Sequence, residues 1–137
     1  MLPRRSIRMN KTIFTNGCFD ILHIGHIRLL KYAASLGNYL IVGLNSDESI
    51  KRLKGHDRPV NKLEYRKEIL ESIKWVNEVR IFTEDTPYNL IKDIKPDIMV
   101  KGGDYEPSNV VGSDICKVEI FNLVGNISTT QILNHVK

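Results

Sequence analysis

His23-Ile24-Gly25-His26 sets two imidazoles three residues apart, the spacing at which side chains on one helical turn point the same way. Residues 12–15, just upstream, form an apolar run that reads as a buried strand, and residues 27–34 read as an amphipathic helix. The pair therefore stands where a strand hands over to a helix. A helix start offers free N–H groups and partial positive charge, which suit an anion. Gly25 leaves room for a ligand to approach the backbone closely. The chemistry indicated is chemistry on a phosphate. Two plainer readings stand beside it: capping or core histidines, and a metal pair. Metal pairs on one helix more commonly use i, i+4 spacing with a carboxylate nearby. Here no Cys or Glu falls at a matching interval, and Asp20 lies on the turn before the helix.

The elements that would position this pair alternate between strand-like and helix-like segments along the whole chain. That pattern predicts an α/β fold: a single Rossmann-like domain with a five-stranded parallel sheet and helices on both faces. Gly37 is the expected cap of the first helix, and 39–44 is a continuous apolar run suited to a strand covered on both sides. Residues 51–59 are polar and carry Gly55 and Pro59, so they read as a mobile loop. Asn61 with Glu64 forms a capping-box pattern opening a helix through Leu70 and Ile73. Residues 79–82 give a third strand; Thr86 caps and Pro87 starts the next helix, burying Leu90, Ile91 and Ile94. Residues 97–100 and 118–123 are the fourth and fifth strands. Ser128 with Gln131 makes a second capping box, leading a final helix over 130–136. Sheets of this kind bind ligands beyond the carboxyl ends of their strands. His23 to His26, Lys101 to Tyr105 and Ser128 to Thr130 each follow a strand, so one site should gather them.

The longer string Thr15-Asn16-Gly17-Cys18-Phe19-Asp20, followed by the H-x-G-H core, resembles the signature of the cytidylyltransferase-type nucleotidyltransferases. The family's second mark, an S-T pair near the C-terminus, is present at Ser128-Thr129. The resemblance runs from Lys11 to Lys137. Within the family, the chain is most similar to the domain that makes ADP-heptose from heptose 1-phosphate. Further strings carry this likeness: Asn45-Ser46-Asp47, Lys51-Arg52-Leu53-Lys54-Gly55, Arg58-Pro59-Val60-Asn61, Glu84-Asp85-Thr86-Pro87 and Lys101-Gly102-Gly103-Asp104-Tyr105. Many relatives carry an arginine shortly before the C-terminal serine. Here Asn122-Leu123-Val124-Gly125-Asn126-Ile127 has none, which counts against a glycerol-phosphate enzyme.

The resemblance implies transfer of a nucleoside monophosphate from an NTP, expected to be ATP, to a sugar phosphate, expected to be heptose 1-phosphate, with release of pyrophosphate. Mg²⁺ is the implied cofactor, held mainly by the triphosphate rather than by protein ligands. His23 and His26 become donors to the triphosphate, with Lys54 and Thr129 as the other catalytic residues. Asn16, Gly17, Cys18 and Phe19 form a turn whose backbone N–H groups hold phosphate, beside Gly25. Ser128 and Thr130 grip the outer phosphates with hydroxyl and N–H groups. Lys101, Gly102, Gly103 and Asp104 line the nucleoside pocket. Arg58 and Arg66 contact sugar phosphate or nucleotide, Arg66 being equally a candidate for a structural salt bridge.

Bulk properties agree with this reading. A chain of 137 residues with 42% hydrophobic content suits one core, with residues 1–8 as a flexible extension and 9–137 as the nucleotidyltransferase domain. No apolar run approaches the ~18 residues that span a bilayer, and no signal-peptide pattern opens the chain. Two cysteines without metal spacing, Cys18 and Cys116, suit a reduced, cytoplasmic protein. A net charge of +4 fits nucleic acid or anionic small molecules, but cations spread along the chain and 7% aromatics favour the latter. The expected partners are thus NTP and sugar phosphate, with no nucleic acid or membrane, in a homodimer. Three other readings remain beside this one. They are CTP-dependent activation of glycerol 3-phosphate or another polyol phosphate, a flavin or nicotinamide cofactor adenylyltransferase sharing the H-x-G-H core, and a non-catalytic nucleotide-binding module that regulates a partner.

Overall fold

The computed structural model describes residues 10–122. The expected extension over 1–8, the Ser128 to Thr130 turn and the last helix lie outside the described residues. Five strands, β1 (Thr12–Gly17), β2 (Tyr39–Asn45), β3 (Glu78–Phe82), β4 (Ile98–Gly102) and β5 (Lys117–Phe121), form one all-parallel sheet in the order β3-β2-β1-β4-β5. Four helices connect them: α1 (Ile24–Ser35), α2 (Asp47–Lys54), α3 (Leu63–Glu71) and α4 (Tyr88–Ile94), with a short 3-10 turn at Pro107–Asn109. The chain winds outward from β1 to β3, then returns to place β4 on β1's other side. That reversal opens a crevice at the carboxyl ends of β1 and β4, where sheets of this order hold ligands.

Apolar residues on both sides of each central strand explain the two layers. Ile13, Leu40, Val42, Leu44, Ile98 and Val100 face α1 and α3, packing on Leu29, Leu30, Ala33 and Leu70. Their neighbours Phe14, Ile41 and Met99 face the other way, onto Ile91 of α4 and Val110. Alternation with a period of two within each run puts one set on each face. Buried Thr15 adds a polar tie at the switch point, its hydroxyl donating to the Val100 carbonyl at 2.8 Å.

Several expected boundaries move. Residues 51–54 are not loop but the last turns of α2, which Ser46 caps by accepting from Ser49 N–H. Lys54 therefore ends a helix. The Asn61–Glu64 capping box does not form: Lys62 is the N-cap of α3 without a side-chain bond, because the Asn61 amide is drawn away to the carbonyl of Asp20 at 2.7 Å. The α3 helix also stops at Glu71, short of Ile73. Pro87 is the N-cap rather than the first residue of α4. Gly37 follows the cap Leu36, and a Cβ there would stand 2.5 Å from the Lys11 carbonyl. Close approach of the turn to β1, not a left-handed cap, requires that glycine.

Candidate active site

The histidine pair builds the start of α1. His23 is the N-cap, extended at φ −140°, and its Nδ1 accepts the Gly25 N–H at 3.1 Å. His26, three residues on, returns the gesture: its Nδ1 accepts the His23 N–H at 3.3 Å. This is a capping box written in imidazoles instead of Ser and Glu. The rings lie 3.9 Å apart, centroid to centroid, tilted by 30°. With both Nδ1 atoms accepting, the neutral rings carry their proton on Nε2, which becomes the free donor. Burial lowers the His23 pKa. Burial, the His23 imidazole and the Lys54 ammonium together bring His26 down to about 4. Both rings are neutral at pH 7. The His23 Nε2 atom is buried with no hydrogen-bond partner among the described residues.

The turn ahead of the pair is shaped around Phe19. This residue takes a left-handed φ of 46°, a conformation that non-glycine residues adopt at some cost. Its ring sits 5.2 Å from that of His26 and against Gly17, where a Cβ would be 3.1 Å from the ring. Asp20 next along is buried and accepts the N–H groups of Val60 and Asn61, both at 2.8 Å, and Arg58 Nε at 3.3 Å. Burial raises the Cys18 pKa against the pull of Lys54, Arg66 and Arg58, so the thiol stays neutral at pH 7 and reacts slowly.

A cavity of about 380 Å³ opens beside this turn, beyond the carboxyl ends of β1, β2, β3 and β4. Asn16, Gly17, Cys18, Lys54 and Lys101 line it, as expected of one shared site. Lys101 Nζ also lies 5.0 Å from the centre of the Tyr105 ring. Gly102, Gly103 and Asp104 do not line the cavity; Gly103 instead bends the chain at φ 117°, which brings Tyr105 round. Phe19, His23, Gly25 and His26 are not in its wall either; they follow the lining residue Cys18 along the turn and the helix start. Arg58 and Arg66 are not in its wall. Arg66 is fully buried, with four hydrogen bonds to protein groups, so the expected contact with sugar phosphate gives way to the structural alternative.

Asn45, Leu53, Phe82, Asp85, Thr86 and Val110 complete much of the wall without having been assigned a part in it. Asn45 and Phe82 are the last residues of β2 and β3, so the carboxyl-end rule could have found them. Among the described residues no three His, Cys, Asp or Glu side chains gather as a metal site. No helix there is long and apolar enough to cross a membrane.

A doubly wound sheet, a capped histidine pair on its first helix and two lysines in a crevice at the strand ends make an anion-binding site of the kind that nucleotide-binding α/β folds carry. The chain belongs to the cytidylyltransferase-like family, whose model matches residues 14–133. It is 55% identical over 131 residues to the bifunctional protein HldE of a Nitratiruptor species, covering 95% of this chain and 28% of that protein. The likeness to the same-named protein of Campylobacter concisus is 54% over 128 residues, 93% of this chain and 27% of the relative. The chain thus spans little more than a quarter of those relatives' length. Among solved structures, the lipopolysaccharide core biosynthesis protein from Thermoplasma volcanium superposes with a TM-score of 0.69 at 28% identity, over 82% of this chain and 95% of that one. Pantoate-beta-alanine ligase from Francisella tularensis shares the fold at a TM-score of 0.60 and 19% identity, over 93% of this chain and 71% of that one.

Proposed function

We propose that this domain transfers the nucleoside monophosphate of ATP to a sugar phosphate, heptose 1-phosphate, and releases pyrophosphate. The observation that carries the transfer step is the capped histidine pair: two neutral rings whose Nδ1 atoms accept backbone N–H groups, at the helix start that follows the Asn16 to Cys18 wall of a lysine-lined crevice. An acceptor phosphate oxygen is already ionised at neutral pH, so no strong general base is needed. The barrier lies in bringing anions together in line and in stabilising charge on the α-phosphate and the leaving pyrophosphate. Fixed N–H donors in a partly desolvated site serve that purpose without reorganising during reaction. Lys54, from the end of α2, and Lys101, near the end of β4, add positive charge to the crevice wall.

Mg²⁺ fits this donor set as the companion of the triphosphate. Asp85 is the carboxylate in the wall, and it is already paired with Arg52 at 3.1 Å, so the metal would be held mainly by phosphate oxygens and water. When bound, it would neutralise charge on the triphosphate. Ser128, Thr129 and Thr130 would grip the outer phosphates from the helix start that the sequence pattern marks. Heptose 1-phosphate and ATP are favoured by the strings shared with the ADP-heptose-forming domain. The likeness to a lipopolysaccharide core biosynthesis protein supports the same direction.

The test is pyrophosphate release with Mg²⁺, crossing ATP, CTP, GTP and UTP against heptose 1-phosphate and glycerol 3-phosphate. Turnover is expected with ATP and heptose 1-phosphate, falling by about 10²–10³ in kcat for His23→Ala. Preference for CTP and glycerol 3-phosphate would overturn the substrates and keep the reaction. No pyrophosphate from any pairing would sink the reading.

A further inference from the structure

Two buried charges outside the cavity wall are joined through one residue. Arg66 on α3 is 0% exposed and Asp20, on the turn after β1, is 2% exposed. The Arg66 guanidinium donates from Nη1 to the carbonyls of Cys18 at 3.0 Å and Asn45 at 2.8 Å. Its Nε donates to the Asn61 carbonyl at 2.8 Å, and Nη2 to Asp47 Oδ1 at 2.6 Å. Asp20 meanwhile accepts the Asn61 N–H, while the Asn61 side chain donates back to the Asp20 carbonyl. Asn61 is therefore gripped by both charges.

The acceptors are unusual in where they lie. Cys18 follows the last residue of β1, Asn45 is the last of β2, and Asp47 is the first of α2. These are points where the sheet ladder has ended and carbonyls need other partners. One planar fork serves three carbonyls and a carboxylate in fixed directions, which a lysine's single ammonium cannot do. Between the anchors at Asp47 and Arg58, residues 51–57 are all exposed, and Lys54 is among them.

We propose that Arg66 is a positioning residue for the nucleotidyl-transfer reaction: it fixes the Asn16 to Asp20 turn and the start of α2, and so sets the turn's backbone and Lys54 relative to the histidine pair. Arg66 itself never touches substrate. The proposal rests on the transfer reading above for its kinetic consequence, but its structural claim stands by itself. Misplacing a reactive group by an ångström costs about 10²-fold in rate. A methionine fills much of the volume of arginine, and such replacement of a buried charge often leaves the fold intact.

The experiment compares Arg66→Met, Arg66→Lys and Asp47→Asn with Leu70→Ala, a fully buried residue on the same helix that belongs to the core beneath and makes none of these contacts. Two readouts are taken: kcat and KM for pyrophosphate release, and the alkylation rate of Cys18 in a Cys116→Ser background. Arg66→Met is expected to lose about 10²-fold in kcat while folded, and to label at Cys18 about tenfold faster as the turn opens. Arg66→Lys should fall between it and the parent, and Leu70→Ala should lose stability but keep kcat and Cys18 labelling. If Arg66→Met does not fold, the lysine and Asp47→Asn variants carry the comparison. Parental kcat in a folded Arg66→Met, or losses that only track the unfolded fraction as in Leu70→Ala, would overturn the proposal. If the parent protein releases no pyrophosphate, the transfer reading fails. Cys18 labelling still decides whether Arg66 holds the turn.

Discussion

Each imidazole of the pair commits Nδ1 to a backbone N–H, so a second proton can enter only by breaking a cap. That gives acid a definite effect. His26 has its pKa lowered from 6.5 to about 4 in the folded chain, so between those values the unfolded chain binds the extra proton and the folded one does not. Stability is therefore full above pH 6.5 and falls as the pH drops toward 4, by roughly 2–3 kcal/mol from this residue. His23, lowered in the same direction, adds to the loss. Denaturant unfolding across that window should show the slope, and His26→Asn, which keeps an acceptor for the cap but cannot titrate, should flatten it. An unchanged slope would mean that other groups govern acid stability. The spacing of the two histidines is legible in sequence because it is local. The tautomer is not, since it depends on which backbone N–H each ring meets. Nor is the destination of Arg66, whose partners lie 48, 21 and 19 residues away in sequence.

Elements are legible where apolar periodicity is strong and misread where polar residues dominate. The sheet strands stand out as apolar runs, and all five appear within a few residues of their expected bounds. Helix α2 reads as loop over 51–54 because its only fully buried apolar side chain is Ile50, with Leu53 half exposed. Its true signals are Ser46 as cap, Asp47 and Glu48 in the first turn and Lys51, Arg52 and Lys54 in the last, which suit the helix dipole at both ends. Ser46→Ala should therefore cost about 1 kcal/mol, read as a lowered denaturant midpoint. An effect near zero would mean that tertiary contacts alone hold α2. Since Lys54 ends that helix, the same variant is expected to raise KM for the nucleotide more than a neutral surface change does. The Asn61–Glu64 pattern fails for the opposite reason: a good local cap loses its side chain to a long-range carbonyl.

For the molecule as a whole, the sheet separates two apolar layers that share no side chain. Leu30 belongs to the α1 side and Ile91 to the α4 side, and both are fully buried. Each truncated to alanine should cost about 2–5 kcal/mol. The double variant should cost the sum to within about 0.5 kcal/mol, because neither cavity can relax into the other. Clear departure from the sum would mean that strain crosses the sheet. The order of strands also leaves β3 at an outer margin. There Glu78 pairs with Arg80 of the same strand and accepts the Tyr39 hydroxyl at 2.9 Å. Charges along an open margin discourage another chain from adding itself as a further strand. Neutralising Glu78 and Arg80 together would leave the fold in place and expose a short ribbon bearing Val79 and Ile81. Its cost would then appear in the test tube as growing light scatter on storage at high concentration, long before any loss of turnover.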